Sequence, residues 1–152
     1  PYDVKRYATD LKLHFAKVSA DVKVFDKEFQ GFVLADASIK KLEEVASQFE
    51  VQLTTVLNNS KLSKNQIKSI NAKMLALEKS FIDPKGMYYG DWYKSLYAST
   101  DPFSGYASWM LPGIQYEISL KSSDRLKEWD MRYGKAIDDL SIKINVLISE
   151  LK

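Results

Sequence analysis

The chain reads as all-α: an antiparallel four-helix bundle carrying a long, ordered, aromatic-rich loop between its third and fourth helices. Three observations predict this. Four segments place apolar residues at alternating steps of three and four, the spacing that gathers them on one face of a helix. No run alternates with the period of two that marks a half-buried strand. Residues 84–113 follow neither pattern and hold three of the four prolines, four of the six glycines and eight of the nineteen aromatic residues.

The first helix is expected at about 3–24, because Val4, Tyr7, Ala8, Leu11, Phe15, Val18 and Val22 form one stripe. Phe25 to Leu34 loses that stripe around Gly31 and reads as a connection. Asp36 stands in the N-cap position for a second helix at about 37–57, whose seam is Ile39, Leu42, Ala46, Phe49, Leu53 and Val56. Ser63 with Gln66 three residues later is a capping box. It opens a third helix with the seam Ile67, Ile70, Met74, Leu77 and Phe81, which ends where Asp83 precedes Pro84. The fourth helix, about 124–151 with Ser123 or Asp124 as cap, carries Leu126, Trp129, Tyr133, Ala136, Leu140, Ile144, Leu147 and Leu151. At 1.5 Å per residue it is roughly 40 Å long. The intervening loop is too rich in Tyr, Trp and Phe to be a linker, since large rings gain too much from burial to stay in water. It should be ordered, with short helical turns.

Length and composition bound the function. At 152 residues one domain, 1–152, is the expectation, and a core can form without staples. A net charge of +2 provides no large field for nucleic acid. Cysteine is absent and His14 is the only histidine, so thiolate and imidazole-pair chemistry, zinc sites included, has no ligand set here. His14, beside the first stripe, is expected to be a boundary residue. Glu43/Glu44 and Asp138/Asp139 lie on polar helix faces, where solvated charge explains them. No cofactor, metal or catalytic residue is expected in this chain. No apolar run is long enough to span a membrane, and a start at Pro1 reads as a processed or excised piece of a longer chain. Asn58-Asn59-Ser60 is an acceptor pattern for glycosylation at Asn58 in a secretory compartment. Within the loop, most rings have a plausible role in closing the bundle end. Those left exposed are candidates for a contact surface, because ordered loops on rigid scaffolds carry binding and Tyr and Trp are enriched at interface hot spots.

Several stretches resemble one family along essentially the whole chain. Met74 to Gly86, with its Phe81-Ile82-Asp83-Pro84-Lys85-Gly86, is followed by Trp92-Tyr93-Lys94, Tyr97-Ala98, Gly105-Tyr106-Ala107 and Leu111-Pro112-Gly113-Ile114. Glu43 to Phe49 and the opening Pro1-Tyr2-Asp3 also fit. The order and spacing resemble the C-terminal helical domain of the transferrin receptor and glutamate carboxypeptidase II family, its transferrin receptor-like dimerisation domain. Fungal vacuolar-sorting homologues are among the relatives it resembles.

The resemblance implies a non-catalytic module that forms a homodimer with a second copy of the parent and docks onto an upstream peptidase-like domain. The parent would be a membrane glycoprotein, with this segment lumenal or extracellular and itself touching neither membrane nor nucleic acid. Any zinc would belong to the preceding domain. Tyr97, Gly105, Tyr106, Trp109, Pro112 and Gly113 are the docking residues this implies. In the glutamate-cleaving members a Lys-Tyr pair helps to recognise the substrate's terminal carboxylate. Tyr106 matches the tyrosine, but Gly105 takes the lysine position and supplies no charge. Two rival readings are a domain completing the substrate pocket of an active zinc metallopeptidase and a stand-alone adaptor holding a partner helix in a groove.

Overall fold

The computed structural model describes residues 3–59 and 62–152. It is mostly helical, with five α-helices among the described residues: α1 Val4–Phe25, α2 Val33–Asn58, α3 Lys64–Leu75, α4 Pro112–Leu120 and α5 Leu126–Leu151. A 3-10 turn, Leu77–Phe81, extends α3, and a two-stranded antiparallel sheet pairs β1 (Ala98–Thr100) with β2 (Ser108–Met110). Three of the four expected helices keep their seams. All of Val4, Ala8, Leu11, Phe15, Val18 and Val22 are buried, as are all eight apolar seam residues of α5. Asp3 caps α1 by accepting from Arg6 N–H, and the Ser63/Gln66 capping box forms as expected.

Successive long segments alternate in direction, as the expected antiparallel arrangement requires. Lys5 pairs with Glu50 and Lys12 with Glu43, so α1 and α2 do run oppositely. Helices α2 and α5, the second and the last of these segments, therefore run the same way, and they form the most extensively packed pair. Leu34 N–H donates to Asp130, while further along Ala37 and Lys41 share a groove with Asp138 and Asp139. The segment from α3 through the 3-10 turn returns against α5, pairing Lys73 with Glu150 and then Asp83 with Arg132.

Four boundaries differ from those expected. Helix α2 begins at Val33 rather than 37, and Asp36 lies inside its first turn instead of capping it. The cap comes from α5: the Asp130 carboxylate accepts from Leu34 N–H at 3.1 Å and Ala35 N–H at 2.8 Å, satisfying donors that a helix start leaves free. Burial first, and Asp130 second, raise the carboxyl of Asp36 above its ordinary value. The third helix stops at Leu75 and tightens into the 3-10 turn, which keeps Leu77 and Phe81 on the core side. Helix α5 starts at Leu126 without a side-chain cap; the Ser123 hydroxyl donates to Asp26 instead, at 2.6 Å. Finally, α4 and the β1–β2 hairpin give regular structure to chain outside the four expected helices.

Candidate interaction surface

The aromatic region is fastened to the start of α5 before any of it reaches the surface. Its anchor is Trp129, fully buried. The Trp129 ring packs edge-on to Tyr88 and tilted against Tyr133, with the Arg132 guanidinium 4.2 Å from the ring centre. The Arg132 Nε donates to Asp83 Oδ2 at 2.8 Å and its Nη2 to the Gly86 carbonyl at 2.7 Å, tying the first bend of the loop to the helix. Tyr133 does the same for the middle: its hydroxyl donates to the Leu96 carbonyl at 2.6 Å and accepts from Gly113 N–H at 3.3 Å. Burial pushes that phenol well above its usual range, so it remains a donor.

Glu117 of α4 is buried, and its Oε1 accepts from Arg125 Nε at 2.7 Å and Trp129 Nε1 at 3.3 Å. Arg125 then lies over the Tyr88 ring, 3.7 Å from its centre, a cation–π contact. Tyr88 in turn bonds Glu128 through its hydroxyl. These links add to backbone bonds within the region, such as Met87 N–H to the Tyr93 carbonyl at 3.0 Å and Leu96 N–H to the Phe81 carbonyl at 2.8 Å, and together they order a region without long regular elements.

The hairpin projects from this base, with Ala98 opposite Met110, Ser99 opposite Trp109 and Thr100 opposite Ser108. Asp101 organises its tip. One carboxylate oxygen accepts from Phe103 N–H at 2.9 Å and Ser104 N–H at 2.6 Å; the other accepts from the Ser104 hydroxyl at 2.5 Å and Ala107 N–H at 3.1 Å. Led by the Ser104 hydroxyl, these bonds hold the carboxyl at about 2 against an ordinary 3.8. The folded value lies below the unfolded one, so this support is complete above about pH 4 and is lost as pH falls through about 2. Asp101→Ala is expected to speed amide exchange at Phe103, Ser104 and Ala107 at neutral pH with unchanged helical circular dichroism. Unaltered exchange at those three amides would remove Asp101 from this role.

The residues singled out in the sequence divide into two groups. Tyr106 is 95% exposed at the tip, beside Gly105, whose φ of +72° suits glycine. Trp109 is half-buried between Tyr89 and Phe103, and Tyr97 is half-buried, stacked on Tyr7 with His14 at its edge. Pro112 and Gly113 correct the expectation of an exposed contact, because both are buried. A Cβ on Gly113 would lie 2.5 Å from the Trp129 ring, so this glycine is where α4 closes on α5. Asn58 is exposed at the end of α2, while Ser60 of its acceptor pattern lies outside the described residues, as do Pro1 and Tyr2.

Phe103, 70% exposed next to Tyr106, was not singled out, nor was Asp101. The run Asp101-Pro102-Phe103-Ser104-Gly105 carries a turn signature that points to both. Arg132 and Glu117 gave no local signal, because their partners are distant in sequence or on another helix. Among the described residues no group of three or more His, Asp or Glu is placed to hold a metal, and no helix is long and apolar enough to cross a membrane.

A family model described as the transferrin receptor-like dimerisation domain matches residues 13–145. That covers most of the chain, including the whole aromatic region and the network beneath it, and the chain belongs to this family. A dimerisation domain is in itself non-catalytic, and it supports formation of a homodimer.

Proposed function

We propose that this transferrin receptor-like dimerisation domain serves its parent protein in two ways, by joining two copies and by docking through its aromatic hairpin onto an upstream peptidase-like domain. The observation that carries the docking reading is the pair of rings at the hairpin tip. Tyr106 and Phe103 are 95% and 70% exposed, yet the turn beneath them is fixed by four bonds to Asp101, three from backbone N–H groups and one from the Ser104 hydroxyl. A rigid, exposed aromatic pair loses little entropy on binding and supplies the kind of anchor that dominates interfaces. Tyr97 and Trp109 support the pair from the strands and their approach, whereas Pro112 and Gly113 act from inside the domain.

The pocket-completing reading is less well supported. Gly105 brings no positive charge to the tip, so nothing there matches a substrate's terminal carboxylate. Catalysis by the parent would depend on zinc ligands outside this chain.

The test uses the parent protein. Deleting residues 1–152 is expected to convert the dimer to a monomer by light scattering, and a dimer that survives would refute the first half. Replacing Phe103 and Tyr106 together by Ser is expected to leave the helical signal unchanged. The same variant should weaken association with the peptidase-like domain by about tenfold, the scale of a lost hot spot. Unchanged association would refute the second half.

A further inference from the structure

The third helix borders an apolar groove. Between the C-terminal half of α2 and α3 lies a groove of about 530 Å³ lined by Leu53, Leu57, Ile67, Met74 and Leu75 with Asn71 as a polar group. Its mouth is apolar: Leu75 is 74% exposed, Leu57 55% and Ile67 40%. Ile67 belongs to the helical seam, so its exposure means that the seam runs past the end of its intramolecular partners.

The charges carried by α3 itself have one sign. Residues 51–77 contain four lysines and no Asp or Glu. Lys73 is paired with Glu150, whereas Lys64 and Lys68 are exposed and enter no ion pair among the described residues. Helical spacing puts Lys64 and Lys68 on the stripe of α3 that carries Asn71 and Leu75, both of which line the groove.

We propose that this groove receives an amphipathic helix from an acidic partner segment, with apolar side chains seated between α2 and α3 and carboxylates against Lys64 and Lys68. A second copy of this chain fits less well, because a two-fold contact sets a patch against itself and α3 carries no carboxylate to face the lysines. A flat anionic bilayer fits poorly too, since the floor of a concave groove stays out of its reach. An amphipathic helix presents side chains at i, i+3, i+4 and i+7, which is the shape such a groove accepts. The inference goes beyond the hairpin docking and does not rest on it.

The probe is a fluorescein-labelled synthetic helix with leucine at i, i+3, i+4 and i+7 and glutamate elsewhere. Its controls are a shuffled peptide of the same composition and a version with lysine in place of glutamate. Anisotropy should show binding of the acidic amphipathic peptide, weakened by added salt. Affinity should fall about tenfold for the shuffled peptide, for Ile67→Asp and for the Lys64→Glu, Lys68→Glu double variant. All substituted residues are exposed, so circular dichroism should not change.

Equal binding of all three peptides, or no binding, overturns the proposal. Binding to phosphatidylserine-containing vesicles that Ile67→Asp abolishes, without peptide binding, assigns the groove to a membrane instead. If Ile67→Asp dissociates the parent dimer, the groove is an interface between copies. Binding of the parent's peptidase-like domain serves as the separate readout for the hairpin, and these variants should leave it unchanged.

Discussion

Trp129→Ala is expected to destabilise the chain by about 3–5 kcal/mol, the range for deleting a large aromatic side chain from a core. At this chain length, that corresponds to a fall in Tm of roughly 10 °C or more. The ring is fully buried and touches three separate pieces of the fold: Gly113 of α4, Tyr88 of the loop and Tyr133 one turn along α5. Truncation leaves a cavity that none of these can fill without moving, because Gly113 has no side chain and Tyr133 is held through its hydroxyl. It also removes one of the two donors to Glu117, a buried carboxylate whose other oxygen already has no protein partner. Trp129→Phe keeps most of the volume but loses that donor, so a smaller cost of about 1–2 kcal/mol is expected. Gly113→Val approaches the same contact from the other side and should cost about 1–3 kcal/mol or more by overpacking. Chemical denaturation measures all three. A loss below about 1 kcal/mol for the alanine variant would show that the ring is not what holds α4 and the loop to α5.

The helices were legible where their information is local. Val4 to Val22 and Leu126 to Leu151 repeat at helical spacing for several turns, and every member of the α5 seam is buried. Capping was legible in the Ser63/Gln66 box, where cap and helix adjoin, whereas Asp3, expected inside the first helix, is its cap. The start of α2 escaped because its cap, Asp130, comes from 95 and 96 residues away. No window along the chain contains both partners. Helix α4 escaped for a different reason: nine residues give little periodicity, and its N-cap is Leu111 in the left-handed region at φ 56°. The remaining signal is Pro112 at its first turn, a position where proline is favoured.

Strands of three residues cannot display a period of two, so the hairpin was visible only as turn residues and rings. The expected contact surface was therefore half legible. Residue type identified Tyr106, which the fold leaves exposed. It could not separate it from Pro112 and Gly113, which the fold buries, because that distinction depends on Trp129 arriving from α5. Ile67 shows the converse. Periodicity placed it on the buried seam, but it stays 40% exposed in the first turn of α3.

Arg132→Met should cost about 3 kcal/mol, at the low end of the range for removing one member of a buried ion pair. The Arg132 side chain is 9% exposed and that of its partner Asp83 17%, so water offsets only part of the loss. Four interactions end together: the bond to Asp83, the bond to the Gly86 carbonyl, the ion pair with Glu128 at 3.7 Å and the contact with the Trp129 ring. Lysine retains the charge but not the planar fork that reaches a carboxylate and a carbonyl at once, so Arg132→Lys should recover less than half of the loss. Because Asp83 would be left without its charged partner, adding Asp83→Asn to Arg132→Met should cost less than the two single losses combined. The damage should also be local. Helices α1 and α2 do not contain this network, so most of the helical signal should persist while proteolysis and amide exchange rise across residues 84–95. A uniform rise throughout the chain would mean that Arg132 supports the core as a whole. An Arg132→Lys variant as stable as the parent chain would mean that charge alone, and not the fork, fastens the aromatic region to α5.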